Sequence, residues 1–167
     1  MKLKCAISAV IFVGLIAPCM GTRVNGGNLI FQTKKVHEAK DGWWDAIARY
    51  PVFEVHSPVL DLGSAVLDAH ARNLVDGFLK DAPTFLIDGA KPTDPFSFDS
   101  SFSIAYSSKT LLSLNLSNYT GVGAAHPNTD LEAFNFGMVH GQARKLGIQD
   151  LFKPGVKAGP FMNNLLM

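Results

Sequence analysis

Apolar and polar positions along this chain repeat with two different periods, and the change of period divides it into regions. Phe96, Phe98, Phe102, Ile104 and Tyr106 share one parity, while Ser97, Asp99, Ser101 and Ser103 share the other. A period of two is that of a strand with one face buried. Leu112, Leu114 and Leu116 alternate in the same way with Ser113, Asn115 and Ser117, and Phe134, Phe136 and Met138 begin a third such run. Ser107-Ser-Lys109 and His140-Gly141 supply turns, Ala143 to Ile148 returns, and Asp150-Leu-Phe152 closes the pattern. Sequential alternating strands joined by short turns predict an antiparallel meander.

Upstream the period lengthens. Leu67, Ala71, Leu74, Val75 and Phe78 fall at helical spacing within 60–80. Gly63-Ser64 offers an N-cap, Asp68 then lies in the early part of the helix, and Pro83 closes it. Before the helix, Leu29 to Val36 and Trp43 to Val55 read as strands around an Asp41-Gly42 turn, and Ser57-Pro58 breaks the second run. Pro51 assigns that second strand to a sheet edge or a bulge, since proline has no N–H for a ladder. The expected class is α+β: an antiparallel meander sheet with one main helix on one face.

The first residues belong to no such element. Met1-Lys-Leu-Lys4 is basic, Cys5 to Ala17 is an uncharged apolar run, and Ala17-Pro18-Cys19 offers small residues at a cleavage position. That order is a secretory signal over 1–21, and the run falls short of the ~20 residues of a spanning helix. Export to the periplasm or the exterior is the resulting expectation. Ile16-Ala17-Pro18-Cys19 is a weak lipoprotein box, with Pro18 where Gly, Ala or Ser belongs, so cleavage is favoured over a lipid anchor on Cys19. Both cysteines lie in this segment, which leaves the mature chain to rely on packing. Residues 22–44 form a lead-in and first strand, and 45–153 the main domain. Residues 154–167 are a tail or the truncated start of a further region. The balance of 15 basic against 14 acidic residues argues against a nucleic-acid partner.

Candidate chemistry concentrates between the second and third alternating runs. Tyr119-Thr-Gly-Val-Gly-Ala-Ala-His-Pro-Asn-Thr129 carries two glycines, one titratable imidazole and a proline. Tyr119, Gly121, Gly123, His126, Pro127, Asn128 and Thr129 are the candidate binding residues. His126 has no ligand partner at metal spacing before Asp130, and Gly121-Val-Gly123 lacks the lysine and helix start of a phosphate loop. No metal, cofactor or catalytic set is therefore assigned. Trp43-Trp44 is a candidate for stacking on sugar rings. Asn115-Leu-Ser117 and Asn118-Tyr-Thr120 have the form of glycosylation sequons.

Several of these residues recur in a familiar order. Tyr50-Pro51 precedes the helix. A Ser-rich strand and a Leu-Ser-Leu strand come next, then Tyr119-Thr-Gly, Gly123-Ala-Ala-His-Pro-Asn-Thr129, Phe134-Asn-Phe136, Gly141 and Asp150-Leu-Phe152. Across about 45–153 this resembles the extracytoplasmic domain that precedes the catalytic part of PdaC-type peptidoglycan deacetylases. A similar region occurs in the lysozyme-sensing anti-sigma factor RsiV. Ala124 stands where the family more often has glycine, and the metal-binding deacetylase domain has no counterpart here. The resemblance implies a non-catalytic envelope module that binds a lysozyme-like protein or peptidoglycan. The alternative is a hydrolase or deacetylase of envelope polysaccharide built on His126, Asp130 and a nearby carboxylate.

Overall fold

A computed structural model describes residues 29–86, 89–123 and 127–151. The expectations placed on 1–21, on 154–167 and on His126 fall outside these residues. Among these residues six strands form one sheet in sequence order: β1 (Phe31–Lys40), β2 (Trp44–Phe53), β3 (Phe96–Ser107), β4 (Leu111–Gly121), β5 (Asn128–Val139) and β6 (Gln142–Lys145). One long helix, α1 (Pro58–Asp81), lies between β2 and β3 and packs chiefly against β2. The fold is α+β, as the change of period implies.

The sheet is mixed rather than a purely antiparallel meander. β3 to β6 do meander, and β1 pairs antiparallel with β2, but β2 and β3 run parallel through Trp44–Ala48 and Phe96–Ser100. The cause is the helix itself. It carries the chain back along the sheet before β3 begins, and such a crossover returns a strand in the direction of its predecessor. Pro51 sits beyond the last β2–β3 pair and faces only Thr33 of β1. Its strand is central in the first half and an edge in the second, which reconciles the proline with an interior place in the sheet.

The helix starts about two turns earlier than its sequence suggests. Ser57 Oγ accepts the Leu60 amide at 3.2 Å and Pro58 takes the first helical position, where its missing N–H costs nothing. Gly63-Ser64 is consequently helix interior. Asp61, not Asp68, is the acid of the first turn. Gly63 lets the helix come close to β4: a Cβ there would lie 2.6 Å from Leu112 Cδ2, so a side chain would force the buried Leu112 to shift. Val59, Leu60, Leu67, Ala71, Val75 and Phe78 form the buried stripe, against Ala46, Ala48, Phe98, Leu112, Leu114 and Phe136 of the sheet.

Alternation in β3 holds as far as Ile104 and then breaks. Ile104 faces Leu114 and Tyr106 faces Ser113, so Ala105 is an extra residue and the register shifts. The bulge inverts the phase. Tyr106, expected in the core, is 43% exposed, and Ser107 is buried in its place.

Candidate functional site

The predicted Tyr119–Thr129 loop is mostly hairpin. Tyr119 pairs with Thr129 and Thr120 with Asn128, so the connection proper is only 122–127. Tyr119 is 40% exposed and Pro127, Asn128 and Thr129 are exposed. Gly123 has φ +63°, in the left-handed region that disfavours a side chain, and Gly121 is pressed against Ser97, where a Cβ would meet Oγ at 2.8 Å. Asn128 Nδ2 donates to Asp130 Oδ2 at 3.1 Å. The structure thus brings Tyr119, Asn128 and Thr129 together as strand residues, and the two glycines shape the bend between them.

Next to this hairpin end lies a shallow cavity of about 430 Å³ on the sheet face turned away from the helix. It is built by register. Ser101, Ser117 and Leu131 form one cross-strand row, and Ser103, Asn115 and Ala133 form the next. The neighbouring row, Asp99–Tyr119–Thr129, joins the cavity to the candidate residues. Asp99 is held there by a two-pronged contact from Arg49 Nη1, at 2.7 and 2.8 Å. Leu131 is 77% exposed and sets a large apolar side chain against the groove. Hydroxyls and one amide alternate with apolar groups across the groove, and the side chains pointing from its floor are uncharged.

The opposite face holds a polar group of residues that sequence inspection overlooked. Ser100 Oγ donates to Asn118 Oδ1 at 2.6 Å, and Asn118 Nδ2 donates to Glu132 Oε1 at 2.6 Å. His70 of α1 reaches the same carboxylate at 3.2 Å. Ser100 is 1% and Asn118 5% exposed. Their signal was available: both occupy the inward parity of strands whose other inward positions are apolar. Serine in β3 is thus not all solvating. Asn118 also cannot accept a glycan in the folded chain, whereas Asn115 stands in the open groove.

Other candidates resolve into structure. Trp43 and Trp44 meet edge to face at 6.3 Å, and Lys40 Nζ lies 4.2 and 4.9 Å from the two ring centres. The pair therefore engages its own hairpin. His56 pairs with Asp61 at 2.9 Å and His37 with Asp45 at 2.7 Å. No group of three or more His, Cys, Asp or Glu suited to a metal occurs among the described residues. Tyr50 donates to Asp68 at 2.5 Å, and Arg72 binds the same carboxylate at 3.1 and 3.2 Å. Burial, then the bond to Asp68, pushes the Tyr50 phenol up to about 12. Arg72, then Tyr50, holds the Asp68 carboxyl below its ordinary range.

No protein-family model matches the sequence, and no curated protein matches it. Solved structures do. A DUF3298 family protein from Pseudomonas aeruginosa PAO1 superposes with a TM-score of 0.51 at 14% identity, covering 82% of this chain and 64% of its own. A member of the same family from Bacteroides fragilis gives a TM-score of 0.53 at 15% identity, covering 86% of this chain and 68% of its own. The chain has the fold of DUF3298 family proteins. Identities this low establish the DUF3298-type fold alone, and the chain spans about two thirds of the length of these neighbours. The narrower likeness to the PdaC and RsiV domains rests on the order of residues from Tyr50 to Phe152. No helix among the described residues is long and apolar enough to cross a membrane.

Proposed function

We propose that this protein is an exported, non-catalytic module of the cell envelope that binds a lysozyme-like protein or a peptidoglycan strand through the open sheet face. The observation that carries the reading is the groove itself. A half-polar floor of Ser101, Ser103, Asn115 and Ser117 lies beside the exposed Leu131 and opens next to Tyr119. Neutral hydroxyl and amide groups next to an apolar rim suit a partner with dense hydrogen bonding and little charge, and aromatic rims such as Tyr119 are favoured at binding surfaces. Support for export comes from the basic start, apolar run and small-residue site of 1–21. Support for an envelope partner comes from the resemblance to the PdaC and RsiV domains.

The test is retention of the purified mature chain on immobilised lysozyme and on insoluble peptidoglycan. One of the two should retain it, and Asn115→Arg, which fills the groove, should release it. Failure to bind either material overturns the proposal. So does retention that Asn115→Arg leaves intact.

A further inference from the structure

We infer that the free edge of β5, from Asn128 to Phe134, accepts an extended polypeptide segment as an added strand, and that basic residues alternate with apolar ones in that segment. The edge shares Leu131 and Ala133 with the groove but engages their main chain, and the inference rests on the binding-module reading only in supposing a polypeptide partner.

β6 is short. It pairs with Phe136–Val139, and Leu146 N donates to Asn135 O at 2.7 Å just beyond it. Among the described residues no strand pairs with this side of β5 before that point. The bond to Asn135 also fixes which backbone groups are available. Alternate residues of an antiparallel strand address the same neighbour, so Ala133, Leu131 and Thr129 turn their N–H and C=O the same way as Asn135, away from β4. The β4–β5 register is continuous through this stretch, so no bulge disturbs the alternation.

Proteins ordinarily blunt such an edge with charge, proline or a covering segment. The opposite edge of this sheet obeys that rule, since β1 carries Lys34, Lys35, His37, Glu38 and Lys40. On β5 the charges Asp130 and Glu132 are confined to the helix side, whereas β1 carries charge on both faces. Thr129, Leu131 and Ala133 are uncharged and exposed, and no proline interrupts 128–134. An edge with one uncharged, exposed face and one acidic face fits strand addition, in which main-chain bonds give affinity and alternate side chains give selectivity.

The two faces of the edge define the partner. Toward the groove, Thr129, Leu131 and Ala133 ask for small or apolar side chains. Toward the helix, Asp130 and Glu132 stand two residues apart, so that face is acidic. Glu132 already meets His70 from α1, and Lys145 of β6 lies over the Phe134 ring, 4.0 Å from its centre, where the acidic stretch ends. Asp130 is bonded to Asn128 and has no cation beside it among the described residues. A basic side chain of the added strand completes that pair.

The experiment is an anisotropy titration of the full chain with labelled peptides of about ten residues, one alternating Lys with Val and one alternating Glu with Val. The Lys/Val peptide should bind saturably, and the Glu/Val peptide at least about tenfold more weakly, a difference of about 1.4 kcal/mol. Ala133→Pro removes an outward N–H and leaves the β4 ladder whole, so it should abolish binding. Asp130→Lys should weaken the Lys/Val peptide and favour the Glu/Val one. If Ala133→Pro does not fold, amide exchange of the unaltered protein replaces it, and the Lys/Val peptide should protect Thr129, Leu131 and Ala133. No binding, no such protection, or equal binding of both peptides overturns the inference. A dimer by light scattering that Ala133→Pro dissociates also overturns it, since the edge is then filled by a second copy. Saturable, Ala133→Pro-sensitive peptide binding by a chain that neither lysozyme nor peptidoglycan retains would uphold the edge while the groove reading falls, so the two failures are separately visible.

Discussion

The two faces of β4 make different demands on its sequence. Toward the helix, Leu112, Leu114, Leu116 and Asn118 are buried. Away from it, Leu111, Ser113, Asn115, Ser117 and Tyr119 are half-buried or exposed. On the covered face each side chain is fixed by its neighbours, because a close-packed interior tolerates neither a void nor an unpaired polar atom. Even the polar exception obeys: Asn118 has both ends of its amide engaged, and no buried side-chain polar atom among the described residues lacks a partner. The open face carries no such constraint, and its composition is free to answer to something outside the molecule. One strand thus separates residues that hold the fold from residues available for recognition.

Substitutions on the two faces test that separation. Leu114→Ala, at a site 1% exposed, should lower unfolding free energy by about 3–4 kcal/mol in urea denaturation. A loss below about 1 kcal/mol would mean that the covered face is not closely packed. Asn118→Leu keeps the volume but strips Ser100 and Glu132 of a partner, and should cost about 1–3 kcal/mol. A neutral result would show that the polar group is not integral to the covered face.

Tyr50→Phe removes the phenol that bridges β2 to Asp68 on the helix and should cost about 1–2 kcal/mol near neutral pH. The sign of its pH dependence is fixed by the raised phenol. Because folding favours the protonated form, the stabilisation is complete below the ordinary tyrosine value of about 10. It is lost as pH rises through about 12. The phenylalanine variant should lack that component of alkaline destabilisation, and absorbance titration should find the Tyr50 phenol ionising at about 12. The Asp68 carboxyl, held low, contributes in the opposite sense: its stabilisation is present above the ordinary aspartate range and lost as pH falls below that range through the lowered folded value. The smallest change belongs to the open face. Asn115→Ala should shift stability by less than about 0.5 kcal/mol while weakening any groove ligand. A large stability loss there would erase the distinction between the faces.

Much of this architecture is legible in the sequence because its signals are local. The alternation of β3 and β4 and the helical spacing of Leu67, Ala71 and Phe78 each reflect one buried side, and each appears where expected. The departures have longer-range causes. Ser57-Pro58 reads as a break but serves as cap and first turn, because such a pair can do either and the packing of Val59 and Leu60 decides between them. The parallel β2–β3 contact depends on where the helix delivers the chain, which no window of residues contains. The Ala105 bulge leaves no mark in composition. Of the candidate site, the hairpin end is visible in the sequence but the groove is not, since Ser101, Ser117 and Leu131 become neighbours only through register. His126 lies outside the described residues, and its role stays with the binding proposal.

The parallel joint between β2 and β3 also orders the folding of the chain. Its first pair, Trp44 and Phe96, is separated by the whole helix and the loop after it, so closing that contact costs far more chain entropy than closing the β3–β4 or β4–β5 hairpins. Local hairpins and helix are accordingly available first, and the β1–β2 ribbon joins once the helix has docked. Ala48→Gly, in the last pair of that joint, should then accelerate unfolding and barely slow folding, whereas Leu114→Ala should slow folding, a contrast that stopped-flow chevrons would resolve.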